Sequence, residues 1–83
     1  MSQSTRDVIR DFIRTQIMRK PTYRLSDDDP IITGGLIDSF ALVEVQMFIQ
    51  EKYGFMPDDI DMTVATMNTV AMIADYVDAH IQK

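Results

Sequence analysis

The residues best suited to chemistry form one short stretch, Gly34 to Phe40, in which two glycines and two apolar residues precede an Asp-Ser step. The glycines favour a sharp turn, because glycine adopts backbone angles that other residues resist. Asp38 and Ser39 both suit a helix N-cap, where a side-chain oxygen accepts a free backbone N–H. A phosphate on Ser39 would lie near the positive end of the helix dipole. The stretch therefore predicts a serine hydroxyl at a surface corner, as a site of covalent modification.

Other arrangements with catalytic potential are weak in this sequence. His80 is the only histidine and lies near the C-terminus, where we expect it to be exposed. Ser39 lacks a G-x-S-x-G elbow, and the sequence has no cysteine, H-E-x-x-H motif or phosphate-binding loop. Asp58 and Asp59 are adjacent in a predicted loop, without an apolar cleft to shift their pKa values. The run 27–29 lacks the ligand pattern of a calcium loop and is expected to be a solvated turn. We therefore predict that the protein is not an enzyme and has no metal site.

Length and charge limit the possible partners. The 83 residues predict one domain, 1–83, with a net charge of −5. Residues 1–24 carry six basic and two acidic residues, net +4, and residues 25–83 carry eleven acidic and two basic residues, net −9. This acidic body disfavours nucleic acid and favours basic protein partners. The apolar runs are too short for a signal peptide or a membrane span, and the lack of cysteine fits the cytoplasm.

Apolar periodicity predicts helices at about 4–18, 39–53 and 69–80, with a single helical turn at 64–67. Candidate caps by residue type are Ser2, Ser4 or Thr5 for the first helix, Thr63 for the short one, and Asn68 or Thr69 for the last. Pro21 is expected to stop the first helix and Gly54 to end the second. Methionines other than the initiator are expected to fill the core. The predicted core seam between the three main helices consists of Phe12, Ile13, Val45, Ile49, Val70, Ile73 and Val77.

The connection from Lys20 to Asp38 has no helical periodicity and is long for a compact domain. We expect five apolar residues to pin it to the helices: Leu25, Ile31, Ile32, Leu36 and Ile37. The predicted fold class is therefore all-α, a small four-helix bundle of three main helices and one short helix, with a long loop between helices 1 and 2. The length of that loop permits a crossing other than simple up-and-down topology.

The outward face of the predicted second helix mixes apolar and acidic residues. It holds Phe40, Val43, Glu44, Met47, Gln50 and Glu51. The apolar members either fold back on neighbouring loops or form an interaction patch, since exposed apolar clusters often mark binding sites. On the second interpretation, the partner-binding residues are Phe40, Val43, Glu44, Met47 and Glu51.

Three segments together resemble the acyl carrier and peptidyl carrier protein family: Gly35–Phe40, Tyr53–Asp59 and Asn68–Val77. The resemblance implies that Ser39, in its Asp38-Ser39 motif, receives 4′-phosphopantetheine from coenzyme A, whose terminal thiol then carries acyl or aminoacyl thioesters. Phe40 stands where the family most often has leucine, on the predicted docking face, so it bears on the choice of partner. The implied protein is a free-standing, monomeric, cytoplasmic carrier in polyketide, nonribosomal peptide or D-alanyl-carrier-like metabolism. Its implied partners are a phosphopantetheinyl transferase, a loading ligase, and downstream synthase or tailoring enzymes.

Two other functions remain open at the level of sequence. One is an unmodified helical adaptor that binds a partner through Phe40, Val43 and Met47. The other is a small regulatory or inhibitor domain whose acidic residues mimic a polyanion. Covalent attachment of phosphopantetheine to Ser39 would separate the carrier from both.

Overall fold

The computed structural model describes residues 4–81, which are helical with intervening turns and contain no strand. The all-α class predicted from the sequence is confirmed within these residues. No helix in this range has the length and apolar content needed to cross a membrane. The elements in chain order are α1 (Thr5–Phe12), a π-helical turn (Ile13–Ile17), α2 (Ala41–Tyr53), a 3₁₀ turn (Asp59–Asp61), α3 (Val64–Met67) and α4 (Val70–Ile81).

The first helix begins at a serine cap and ends in a left-handed residue. The N–H of Asp7 donates to the hydroxyl of Ser4 at 3.2 Å, so Ser4 is the cap among the described candidates. Ser2, another candidate, lies outside the described residues. The chain leaves the helix at Arg19, which has a φ of 57°, a value that residues other than glycine seldom adopt. The reversal therefore takes place before Pro21, which was expected to stop the helix.

The core is one cluster to which all four α-helices, the π-helical turn and the segment between α1 and α2 contribute. Six of the seven predicted seam residues are buried, and Phe12 is half-buried with its ring stacked 4.0 Å from that of Phe48. Met67 is fully buried, as expected for core methionine. Met47 and Met56 are 56% and 53% exposed, so the prediction of methionine as core fill is wrong for these two. The buried seam residues are Ile13, Val45, Ile49, Val70, Ile73 and Val77.

Apolar residues of the segment between α1 and α2 belong to the same core. Leu25, Ile31 and Ile37 are buried, and Ile32 and Leu36 pack half-buried against the cluster. The prediction that these five side chains pin the connection to the helices is therefore confirmed. Their burial removes apolar surface from water, which stabilises the position of a segment that has no helical hydrogen-bond ladder of its own.

Asp27 anchors this connection through polar contacts. Arg6 binds its carboxylate at 3.1 Å, and Arg10 forms a second ion pair with it. The carbonyl oxygen of Asp27 also accepts the N–H of Ala71, in α4, at 3.0 Å. Burial opposes ionisation, but the hydrogen bonds and charges of Arg10 and Arg6 outweigh it and lower the pKa of Asp27. The expectation of a solvated aspartate turn is thus wrong for this residue.

The other helix ends follow the predicted residue types, with one difference in bonding. Gly54 ends α2 with a φ of 81°, as predicted for a C-terminal glycine. The hydroxyl of Thr69 accepts the N–H of Met72 at 3.0 Å and so caps α4. Thr63 occupies the N-cap position of α3, but its hydroxyl bonds the hydroxyl of Thr66 at 3.3 Å instead of a backbone N–H.

Candidate modification site and interaction face

The turn before Ser39 requires its two glycines for different reasons. Gly35 has a φ of 80°, in the left-handed region that favours glycine. Gly34 does not have a positive φ; a Cβ atom there would lie 2.2 Å from the carbonyl oxygen of Pro30. That oxygen accepts the N–H of Gly34 at 2.9 Å, which brings the two backbones together. The expected need for unusual backbone angles therefore holds for Gly35. Gly34 is required for a different reason, because a side chain there would collide with the backbone of Pro30.

Helix α2 begins with a tight turn that Asp38 caps. The N–H of Ala41 donates to the carboxylate and to the carbonyl oxygen of Asp38, each at 3.1 Å. The N–H of Leu42 donates to the carbonyl oxygen of Ser39 at 3.2 Å, again three residues back. These bonds have the 3₁₀ pattern, so the α-helix proper starts at Ala41, two residues later than predicted.

Ser39 is exposed, and its hydroxyl has no hydrogen-bond partner within residues 4–81. Both Asp38 and Ser39 were candidates for the helix cap, and the structure assigns the side-chain bond to Asp38. The hydroxyl of Ser39 is therefore not used to hold the fold. A group attached to its oxygen would meet solvent at the start of α2.

The five predicted partner-binding residues all lie in or just before α2 and are exposed. Phe40 is 83% exposed, Val43 58% and Met47 56%, so these side chains do not fold back on neighbouring loops. Glu44 and Glu51 are exposed on the same helix. We call these five residues the α2 face. It combines exposed apolar area with negative charge. A protein surface that is itself part apolar and part basic would be complementary to it.

A groove of about 970 Å³ lies beside the start of α2. Asp38 and Phe40, the two neighbours of Ser39 in the chain, both line it. Ile32 and Leu36 contribute apolar wall from the connection. The groove therefore brings part of the α2 face together with the turn that precedes Ser39.

A second groove, of about 410 Å³, lies between the end of the first helix and α2. Met47, Glu44 and Glu51 line it from the α2 face, and Arg19 lines it from the other side. Arg19 was not among the predicted site residues. Its left-handed backbone turns the chain at the edge of this groove.

Two polar side chains that the sequence analysis did not assign hold the segment after α2. Gln46 is 8% exposed, and its Nε2 donates to the carbonyl oxygen of Pro57 and to the carboxylate of Asp59, each at 2.7 Å. The hydroxyl of Tyr76 donates to Asp61 at 2.8 Å; burial and this hydrogen bond raise the pKa of Tyr76. The signal in the sequence is the inward position of Gln46 in the helical pattern of α2, because a buried polar side chain needs a hydrogen-bond partner.

His80 is exposed, as predicted, and lies against aromatic rings. Its ring is stacked 5.0 Å from that of Phe55, and its Nδ1 lies 2.8 Å from the carbonyl oxygen of Tyr76. These contacts place it against α4 and the loop after α2, and His80 is not among the residues that line the two grooves.

The wider likeness of this chain to known proteins is limited. No protein-family model matches it, and no curated protein or solved structure is significantly similar to it. The resemblance to carrier proteins noted in the sequence therefore rests on three short segments alone, Gly35–Phe40, Tyr53–Asp59 and Asn68–Val77. Independently of those segments, the site has an exposed serine hydroxyl, without a hydrogen-bond partner among residues 4–81, beside an apolar and acidic helix face.

Proposed function

We propose that this protein is an acyl or aminoacyl carrier in which Ser39 bears 4′-phosphopantetheine. The observation that carries the proposal is the exposed hydroxyl of Ser39, which has no partner within residues 4–81 and directly precedes α2. A structural serine at a helix start is expected to cap a backbone N–H. Here Asp38 makes that bond, which leaves the serine oxygen available for chemistry.

The residues around Ser39 fit a phosphate-linked group. Ser39 Oγ would form a bond to the phosphorus that bears pantetheine as the pyrophosphate bond of coenzyme A breaks. Adenosine 3′,5′-bisphosphate would leave, and the proton of the serine hydroxyl would pass to a base of the transferase. The phosphate would then lie at the N-terminal end of α2, where the helix dipole favours negative charge. The bound group supplies a thiol for thioester formation, so the chain needs no cysteine of its own.

The α2 face is the proposed docking surface for the partner enzymes. These are a phosphopantetheinyl transferase, a loading ligase, and the synthase or tailoring enzymes that use the loaded carrier. Phe40, Val43 and Met47 would supply contact area, and Glu44 and Glu51 would steer basic surfaces toward it. Because the carrier must leave after each step, we expect each complex to be weak.

In the proposed mechanism the protein catalyses no reaction itself; it tethers an intermediate and delivers it to other enzymes. A carrier holds an intermediate on a covalent arm and presents it to successive active sites at high effective concentration. We propose that the four helices act as one small bundle for this purpose, as a cytoplasmic monomer. The pathway is polyketide, nonribosomal peptide or related specialised biosynthesis.

The test is intact mass after incubation with coenzyme A and a phosphopantetheinyl transferase. The parent protein is expected to gain the mass of one phosphopantetheine group, and Ser39→Ala is expected to gain none. Ser26→Ala is the matched control, because Ser26 is also an exposed serine of the connection and should not matter. If the parent protein stays unmodified after incubation with transferases of broad specificity, the carrier function is refuted.

An unmodified adaptor is the second candidate, favoured by the 83% exposure of Phe40. An adaptor would bind its partner through the α2 face without any group on Ser39. It predicts no mass gain with coenzyme A, together with partner binding that Phe40→Ala weakens and Ser39→Ala does not.

A further inference from the structure

Asn68, between α3 and α4, is joined to the turn before Ser39 by four hydrogen bonds. Its carbonyl oxygen accepts the N–H of Ile31 at 2.8 Å. Its side-chain oxygen accepts the N–H groups of Ile32 at 3.0 Å and Thr33 at 3.1 Å. Its side-chain nitrogen donates to the hydroxyl of Thr33 at 3.1 Å. One residue thus holds three successive backbone N–H groups of a segment 35 to 37 residues away in the chain.

These bonds fix one side of the turn that leads to Ser39. The N–H of Gly35 donates back to the carbonyl oxygen of Ile32 at 3.1 Å, and that of Ile37 donates to Ile31 at 2.9 Å. The two residues that accept these bonds, Ile32 and Ile31, are themselves hydrogen-bonded to Asn68. Ile32 also lines the groove beside Phe40. Displacement of residues 31–33 would therefore shift both the turn and the wall of the groove next to Ser39.

Asn68 has no competing task at the start of α4. It was expected as one of two possible caps of that helix, but the hydroxyl of Thr69 makes the capping bond to Met72. The amide of Asn68 is committed to the connection instead, where backbone groups outside helices need partners. Its role is to fix the position of the connection.

We propose that Asn68 is a positioning residue for the modification of Ser39. This positioning role rests on the proposed carrier function and adds a residue to the recognition of its site. By holding residues 31–33, Asn68 sets the orientation of the turn that presents Ser39 to the transferase. The α3–α4 junction therefore contributes to the modification of Ser39 through the position of residues 31–33.

The test compares transferase kinetics for Asn68→Ala, Asn68→Asp and Thr69→Ala. Asn68→Ala removes the side-chain bonds and is expected to lower kcat/KM for modification by at least about tenfold, since small misplacements near a reacting group are costly. Asn68→Asp keeps an acceptor for the N–H groups of Ile32 and Thr33, and is expected to stay within about threefold of the parent. Thr69→Ala loosens the start of α4 without touching these bonds, and serves as the control for general destabilisation.

Amide hydrogen exchange gives a readout that does not depend on the transferase. Exchange at Ile32 and Thr33 should accelerate in Asn68→Ala and remain as in the parent in Thr69→Ala. If Asn68→Ala does not fold, Asn68→Ser replaces it, because the shorter side chain cannot reach both amides.

The outcomes separate this inference from the carrier function. A parent that is modified, with Asn68→Ala modified equally fast, overturns the positioning role alone. Equal loss of rate in Asn68→Ala and Thr69→Ala also overturns it, since the effect would then be one of general stability. A parent that accepts no group overturns the carrier function, and the positioning role falls with it.

Discussion

Replacement of Gln46 by methionine tests how the segment after α2 is held in place. Methionine nearly matches glutamine in length and volume and is a good helix former, so packing and helix propensity change little. The substitution removes the amide that donates to Pro57 and Asp59, both at 2.7 Å. Because Gln46 is 8% exposed and Pro57 is buried, water cannot readily replace the bond between them.

The expected loss follows from the two bonds taken separately. Leaving the carbonyl oxygen of buried Pro57 without a donor costs about 1–3 kcal/mol. Asp59 is exposed and regains water, so its bond adds little to the loss. A domain of 83 residues has a total unfolding free energy of roughly 4–12 kcal/mol. We therefore expect Gln46→Met to lower the unfolding free energy by about 2 kcal/mol, which corresponds to a fall in Tm of about 8–16 °C.

The assay is urea and thermal unfolding followed by circular dichroism. Gln50→Met is the matched control, because Gln50 lies one turn later on α2 and is exposed. We expect it to change the unfolding free energy by less than about 0.5 kcal/mol. If Gln46→Met also stays within that range, the buried amide does not hold the segment, and the reasoning from burial and bond geometry is refuted.

Three further predictions concern the connection, the core and the α2 face. Asp27→Asn should cost about 1 kcal/mol at pH 7, measured in urea melts against Asp28→Asn. Because the pKa of Asp27 is lowered in the folded state, the difference in unfolding free energy between the parent and Asp27→Asn should be complete above the unfolded-state pKa. It should vanish as the pH falls through the folded-state pKa. A difference that persists in acid would contradict the ion pair. Ile49→Ala should destabilise by about 2–5 kcal/mol in the same melts, because Ile49 is fully buried, and a loss under half a kcal/mol would contradict its place in the core. Met47→Ala should slow modification and loading more than Gln50→Ala at unchanged helicity; equal rates would mean that the docking surface lies elsewhere.

Features set by neighbouring residues were predicted well from the sequence. Helical periodicity placed Ile49 and Val77 in the core, and the type of residue identified Gly54 as the end of α2. The same helical wheel placed Phe40 and Met47 on the outward face of α2, but it left open whether they fold back on neighbouring loops; the structure shows both exposed. These properties depend on residues within one or two turns, which is the range over which periodicity carries information.

Features that depend on distant residues were missed. Asp27 was expected in a solvated turn, but its partners Arg6 and Arg10 lie about twenty residues earlier in the chain. Asn68 was one of two expected caps for α4, yet it bonds residues 35 to 37 positions away and Thr69 makes the cap. The π-helical turn and the left-handed Arg19 also have no local signal, because arginine rarely adopts a positive φ.

The central claim is that Ser39, and no other hydroxyl, receives phosphopantetheine. Peptide mapping by tandem mass spectrometry of protein incubated with coenzyme A and a transferase tests it most directly. The account predicts one modified peptide, with the group on Ser39 and with unmodified Ser26 and Thr33. A group located on Ser26, Thr33 or any other residue, or no modified peptide at all, would contradict it.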